Sequence, residues 1–330
     1  MKKWNVILGV DVSKLTLDIS SFELEMHIKI DNCSAGFKVF QKWCKTHKIN
    51  LQETLIVMEH TGGYEYRFIQ FCEAFSIAYC RVPGLEIKSS MGITRGKSDE
   101  GDSFRISEYG EQRIKTIGPS KPLDKNILTL KQLLSFRKRL IRERAGLKST
   151  LSERRHMYDI KTADKITRIC KAKIKSSTTY INQVETAIME IIQANEAMLL
   201  NYRIITSIKG IGKVNAWMTI AYTENFTSFP DGRTYAVYVG VLPFGHRSGT
   251  SIKRRTKVSN LANKELKQEL NQAGKTAMTH DPEIRDYAER KLKNKCFSLV
   301  LNNVKFKLIL RMFSLVKRQE MYMENYKRVA

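Results

Sequence analysis

The chain has 330 residues, with 57 lysines and arginines against 33 aspartates and glutamates and a formal net charge of +24. A field of that sign and size attracts polyanions, nucleic acid first; an anionic membrane surface would be attracted too, but the sequence offers no convincing amphipathic anchor. No apolar run reaches the ~18 residues that a membrane-spanning helix needs, and the apolar start is cut short by Asp11, so it reads as no export signal. The cysteines (Cys33, Cys44, Cys72, Cys80, Cys170 and Cys296) form no CxxC pair. They read as reduced thiols of a cytoplasmic protein rather than a zinc site or a disulfide frame.

NVILGVD, Asn5 to Asp11, is a short run of β-formers that predicts a buried strand with a carboxylate at its end. LTLDISSF and EMHIKID alternate apolar and polar, which predicts the second and third strands of an antiparallel meander. Asn32 or Ser34 is placed to cap a helix over Ala35 to His47 that buries Phe37, Phe40 and Trp43. ETLIVMEH predicts a fourth strand ending in Glu59. The break at Thr61-Gly62-Gly63 follows, then a helix over Tyr64 to Phe75 and a fifth strand, SIAYCRV, stopped by Pro83. The order βββαβαβα, with acids at strand ends, predicts an RNase H-like fold over residues 1–118: a mixed sheet with helices on both faces.

In GKSDEGDSFRISEYG, Asp99 and Asp102 are three apart and share a helix face. Gly92 and Gly96 precede them in a loop, and Phe104 and Ile106 are the helix's apolar anchors. Carboxylates crowded together resist ionising together unless cations are bound. Co-location of Asp11, Glu59, Asp99 and Asp102 therefore points to a two-metal site, with ions ~3.5–4 Å apart held by oxygen ligands. His60 beside Glu59 is either a tuning group or an ordinary loop histidine.

Pro119 and Pro122 mark a boundary. Over residues 119–200, Leu133, Phe136, Leu140, Leu147 and Leu151 recur at helical spacing, as do Ile181, Val184, Ile188, Ile191 and Met198. They predict two long amphipathic helices, able to pair as an antiparallel hairpin or as a coiled coil between chains. From Lys131 to Lys175, Arg137 and Arg144 included, basic residues greatly outnumber acids, which points to a surface that contacts a phosphate backbone.

Residues 201–330 begin with ITSIKGIGKVNAWMTIAY, which looks like a helix-hairpin-helix. Gly210 and Gly212 would let the backbone approach a partner, and the amides of the next helix, with Lys209 and Lys213, would hold a phosphate. Ala236 to Leu242 is an apolar stretch followed by a loop, PFGHRSGTSIKRR. In it Ser248 stands beside Arg247, with Lys253, Arg254 and Arg255 close behind. A serine hydroxyl among cations can attack a phosphodiester while the cations stabilise the transition state. Ser251 is an alternative, and His246 a candidate proton shuttle. Tyr235 and Tyr238 are rival nucleophiles in a run that reads as core. Ser259 is placed to cap a helix whose Leu261, Leu266, Leu270 and Ala273 face inward. The tail, FSLVLNNVKFKLILRMFSLV, predicts a helix packed on this domain.

GVDVSK, VMEHTGGY and KSDEGDSFRI together resemble the motifs of the DEDD transposases of bacterial insertion sequences, the Piv-like recombinases. The segment from IKGIG through LPFGHRSG to SNLANKEL resembles that family's second block. The resemblance implies a RuvC-like domain in which Asp11, Glu59, Asp99 and Asp102 bind Mg²⁺, two ions with Mn²⁺ as a substitute. It implies that Ser248 forms a phosphoserine link to DNA. It further implies a dimer or tetramer with composite active sites, acting on donor and target DNA chosen by a non-coding bridge RNA. Ser103 departs from the alanine usual there, and Asn260 and Ala262 from the usual Lys and Gly. Two other readings stand beside this one. The first is a Mg²⁺-dependent nuclease resembling a Holliday-junction resolvase, with water as nucleophile. The second is a non-catalytic nucleic-acid-binding protein.

Overall fold

The computed structural model describes residues 4–90, 98–122, 124–158, 164–248, 252–258 and 261–324, apart from the side chains of 244–257 and of Tyr158. Gly92, Gly96, Gly249, Ser251, Ser259 and Asn260 lie outside the described residues. Two compact units divide after Pro122.

The first unit runs β1 (Val6–Val12), β2 (Thr16–Ser21), β3 (Met26–Asp31), α1 (Ser34–Thr46), β4 (Thr54–Glu59), α2 (Tyr66–Ala74), β5 (Ala78–Val82), α3 (Gly84–Ser90) and α4 (Asp99–Gln112). The sheet order is β3-β2-β1-β4-β5. β2 is antiparallel to β1 and β3, while β4 is parallel to β1 and β5. This is a mixed α/β sheet, consistent with a RuvC-like fold. β1 lies at the centre because both its faces are apolar. Ile7 joins Leu55, Val57, Ile106 and Tyr109 in the core beneath α4. Leu8 and Val10 alternate to the other face and are fully buried. Phe37, Phe40, Phe68 and Phe71 of α1 and α2 form a ring cluster in which α1 packs on α2.

Several local expectations are corrected. The residue at the N-cap of α1 is Cys33, without a side-chain bond. Asn32 does not take that role: its side-chain amide donates to the carbonyls of Ser13 (3.1 Å) and Tyr64 (3.0 Å), and its Oδ1 accepts no bond from the helix. Trp43 is only partly covered, and so is Phe104. The buried residues of α4 are Ser103, Ile106, Ser107, Tyr109 and Gly110, so small residues share the inward side with Ile106 and Tyr109.

The second unit is helical apart from one hairpin of strands. It runs α5 (Lys125–Tyr158), α6 (Lys165–Gln193), α7 (Glu196–Thr206), α8 (Lys213–Tyr222), α9 (Gly232–Val239), β6 (Phe244–Ser248), β7 (Ile252–Lys257), α10 (Lys264–His280), α11 (Pro282–Leu292) and α12 (Phe297–Arg318). α5 and α6 pack on each other within the chain. They are antiparallel, since Arg137 bonds Glu185, Arg144 bonds Thr178 and Arg154 bonds Asp164. Ile127, Leu130, Ile188 and Ile192 join Ile204, Trp217, Tyr235, Leu270, Leu308 and Met312 in one core. Phe136 departs from the predicted stripe and is 49% exposed.

Within the stretch Pro243 to Arg255, expected to be a loop, β6 and β7 begin, and they form an antiparallel pair. α10 is capped by Asn263, whose side chain accepts from the Leu266 amide. Leu261 precedes that helix and is 73% exposed rather than inward. Leu266, Leu270 and Ala273 are buried, and α12 packs on α9, α10, α11 and α7.

Candidate active site

The register of the sheet sets the acids. One step beyond the Val10–Met58 pair, Asp11 and Glu59 end neighbouring parallel strands, and Asp11 pairs with Asp18 across β1 and β2. Paired residues share a face, so Asp18, Asp11 and Glu59 form one row.

Helix α4 covers that face at a height set by missing side chains. A β-carbon on Gly110 would come within 2.7 Å of the Ile7 side chain. One on Gly9 would overlap the Ser103 carbonyl oxygen and the Ser107 amide nitrogen. The helix therefore runs back along β1, with Gly110 over Ile7 and Ser107 and Ser103 over Gly9. Asp102 directly precedes Ser103 and Asp99 lies about one turn beyond it, and both act electrostatically on Asp11. Ser107 Oγ locks this approach, donating to the Ile7 carbonyl and accepting from the Phe22 amide, both at 3.0 Å. The Oγ atoms of Ser103 and Ser20 are 2.6 Å apart, so the serine that departs from the family's alanine has its own buried partner. Ser98 caps the helix through the Gly101 amide at 3.1 Å. Asp99, Glu100 and Asp102 in the first turn complement the helix dipole.

The charges of this row act on one another. The Asp11 carboxyl is pushed up to about 6, first by burial and then by Asp99, Asp102, Glu59 and Asp18. All four predicted acids thus meet electrostatically at Asp11, and a fifth joins them. Asp18 was missed in the sequence because an acid on an alternating strand reads as solvent-facing. It is 3% exposed, held by His27 Nε2 at 3.0 Å and Lys29 Nζ at 3.1 Å. Lys29 also lies 4.0 Å from Asp99, and its ammonium is held above the usual lysine range, chiefly by Asp18. Arg105 donates to Asp102 at 2.8 Å.

Glu59 and the loop beyond it are positioned by two residues absent from the predicted set. A β-carbon on Gly84 would overlap the Glu59 carboxylate. Glu65, fully buried, accepts from Thr61 Oγ1 (2.6 Å), the Gly63 amide (2.8 Å) and Arg81 (3.0 Å). Burial pushes its carboxyl up, but these bonds outweigh burial and leave it below the usual range. His60 is half exposed and stands 3.8 Å from Glu65.

The donors suit a hard divalent cation: they are carboxylate oxygens, carry surplus negative charge and come from strand ends and a helix start. Among the described residues no three His, Cys, Asp or Glu side chains stand close enough to hold one ion. The fit is therefore one of donor type and charge, and a cation would draw the carboxylates inward by removing the repulsion that raises Asp11.

In the second unit, Ser248 ends β6 and pairs with Ile252, next to the Arg247–Lys253 and His246–Arg254 pairs, with Arg255 following. Tyr235 is fully buried and Tyr238 partly exposed. Gly210 has φ +99°, and a β-carbon there would lie 2.6 Å from the Ala273 carbonyl oxygen. Its glycine thus serves packing on α10. Gly212, with open space around it, begins α8 as its N-cap. Lys209 pairs with Glu324, and Lys213 with Glu185 at 2.5 Å. Arg137 is bound to the same Glu185 at 2.7 Å and lies over the Trp217 ring, while Arg144 donates to Thr178 at 3.2 Å. Four of the predicted nucleic-acid contacts are thus engaged within the chain. None of the six cysteines forms a disulfide; Cys44, Cys72, Cys80 and Cys170 are buried, and Cys296 is exposed. Among the described residues no helix is long and apolar enough to cross a membrane.

A mixed sheet whose adjacent strands end in carboxylates under an acid-headed helix is the frame of a nucleic-acid-processing enzyme. Residues 8–154 match the IS110 DEDD family model, described as "Transposase", and residues 202–289 match the "Transposase IS116/IS110/IS902 family". The chain carries both IS110-family transposase domains and is a transposase or site-specific recombinase whose substrate is DNA. It is 26% identical over 275 residues to the pilin gene-inverting protein of Moraxella lacunata, and 25% over 273 residues to that of Moraxella bovis. Each match covers 80% of both chains. The DEDD domain agrees with a dependence on divalent metal.

Proposed function

We propose that this chain cuts and rejoins DNA through a serine-linked intermediate. Asp11, Glu59, Asp99 and Asp102 hold the divalent ions, Mg²⁺ by their hard oxygen ligands, and Ser248 is the nucleophile. The observation that carries the reading is the placement of Asp11 and Glu59 at the ends of adjacent parallel strands, with the acid-headed helix α4 packed directly on β1. Bound cations polarise the scissile phosphate and stabilise the departing oxygen. Ser248 Oγ forms a bond to phosphorus as the P–O3′ bond breaks; the hydroxyl gives up its proton and the 3′ oxygen gains one. The phosphodiester energy is conserved in the new ester, so rejoining is the same exchange reversed. The cations of β6 and β7 (Arg247, Lys253, Arg254, Arg255) offset charge on the phosphate. The acids lie in the first unit and Ser248 in the second, and different protomers supply them in an oligomer, as in the family that the motifs resemble.

The test is a nicked DNA substrate whose cleaved end diffuses away, followed by peptide mapping of covalently linked protein. DNA attached at Ser248, and loss of both attachment and strand exchange in Ser248→Ala, supports the proposal. Undiminished cleavage by Ser248→Ala sinks it in favour of attack by water; attachment at Ser251 reassigns the nucleophile. The choice of target by a bridge-type RNA is supported by the motif resemblance and by the chain's positive charge. Sequencing RNA that copurifies with the protein tests it: a structured transcript from beside the reading frame is expected, and its absence from active preparations overturns this part.

A further inference from the structure

Between α5 and α6 lies an open groove of about 910 Å³ whose lining includes Phe136, Arg139, Arg142, Gly146, Lys173 and Tyr180, with one carboxylate, Glu143, paired to Arg139 at 3.5 Å. The two aromatic rings are 49% and 52% exposed. The Arg144–Thr178 and Arg137–Glu185 bonds set the register of the hairpin, which places Tyr180 level with Arg142. That is six residues from Phe136, or ~9 Å along the axis, far enough for each ring to take its own base. Gly146 stands inside a long helix, where glycine costs ~1 kcal/mol against alanine. A β-carbon on it would meet nothing within 4 Å, so no packing inside the chain accounts for it. It leaves the groove floor open to something that comes close.

Charge selects the occupant. α5 alone carries ten lysines and arginines against two glutamates. A second copy of so basic a hairpin would be repelled, whereas a phosphate backbone is attracted. Exposed rings between cations form a stacking platform for unpaired bases. We propose that this groove holds a single-stranded stretch of the DNA substrate, its bases on Phe136 and Tyr180 and its phosphates along Arg139, Arg142 and Lys173. The groove belongs to the second unit and the acids to the first, and the proposal is independent of the strand-cleavage reading because its test measures binding alone.

The test is fluorescence anisotropy of the full chain with a labelled single-stranded DNA, the matching duplex and an RNA of the same sequence. Phe136→Ala and Tyr180→Ala should each weaken single-strand binding about tenfold and leave duplex binding unchanged, since duplex bases have no free faces. Both rings are exposed, so both variants should melt with the parent. Gly146→Leu should lose single-strand binding while melting at or above the parent's temperature. The proposal is overturned by single-strand affinity that survives the double substitution, by equal losses on duplex, or by RNA bound more than tenfold tighter than DNA. An oligomer that dissociates in the double variant, seen by sedimentation, overturns it too and makes the groove an interface between copies.

Discussion

Gly9 lies so close beneath Ser107 that a β-carbon on the glycine would stand 2.8 Å from the Ser107 Cα. Backbone meets backbone there, and neither side can yield by rotating a side chain. Gly9→Ala is expected to destabilise the protein by about 2–3 kcal/mol. It should also push Asp99 and Asp102 away from Asp11. Urea melts give the first number. DNA cleavage, measured where the variant is still folded, should fall further than the folded fraction does; activity that tracks the folded fraction would refute the placement of α4.

Asp11 gives a pH dependence whose sign can be worked out. Its folded value of about 6 lies above the ordinary 3.8, so the folded state binds the proton more tightly. Without metal, stability should therefore fall as pH rises from about 4 through about 6. Asp11→Asn should remove that fall. It should be more stable than the parent at pH 7 by on the order of 1 kcal/mol once solvent screening is allowed for, and equal to it in acid. Mg²⁺ should raise the parent's melting temperature and not the variant's. A parent whose stability rises with pH over this range would contradict the account.

Glu65 should behave in the opposite sense. Its carboxyl lies below the usual range, so its contribution is present above about pH 4.5 and lost as the solution is acidified. Glu65→Ala leaves the guanidinium of Arg81, 15% exposed, without its partner and should cost about 3–5 kcal/mol at neutral pH. The gap from the parent should narrow in acid. Proteolysis should also find the segment around Thr61 and Gly63 more open in the variant.

Ser103 and Ser20 offer a double-mutant cycle. Ser103→Ala strands the buried Ser20 hydroxyl and should cost about 1–2 kcal/mol, whereas Ser20→Ala leaves Ser103 donating to the Glu100 carbonyl at 2.7 Å and should cost less. The pair together should cost less than the sum. Strict additivity in denaturant melts would mean that the 2.6 Å contact carries no energy of its own.

The acids at strand ends were legible because a β-former run closed by a carboxylate has few local explanations. Asp18 was not, since alternation marks a polar face without saying what covers it. On β2 the polar face, Asp18 and Ser20, lies under α4. Of the two expected anchors of α4, Ile106 is buried but Phe104 is only partly covered, because a helix pressed this closely onto a strand buries its small residues beside it. The β6–β7 pair is hidden in the sequence because FGHRS and IKRRTK have no apolar face to betray a strand. α11 went unread although Asp281 and Pro282, its cap and first residue, are an ordinary helix start.

The seating of α4 on β1 turns spacing into a heritable quantity. Each residue added to or removed from an α-helix swings everything beyond it by ~100°. A single deletion between Ser103 and Ser107 would keep every carboxylate and every small residue, yet swing the acids relative to the seated face of the helix. Relatives can therefore be sorted by interval rather than by letter. A copy that retains all its acids but has slipped by one position in that span is a fossil.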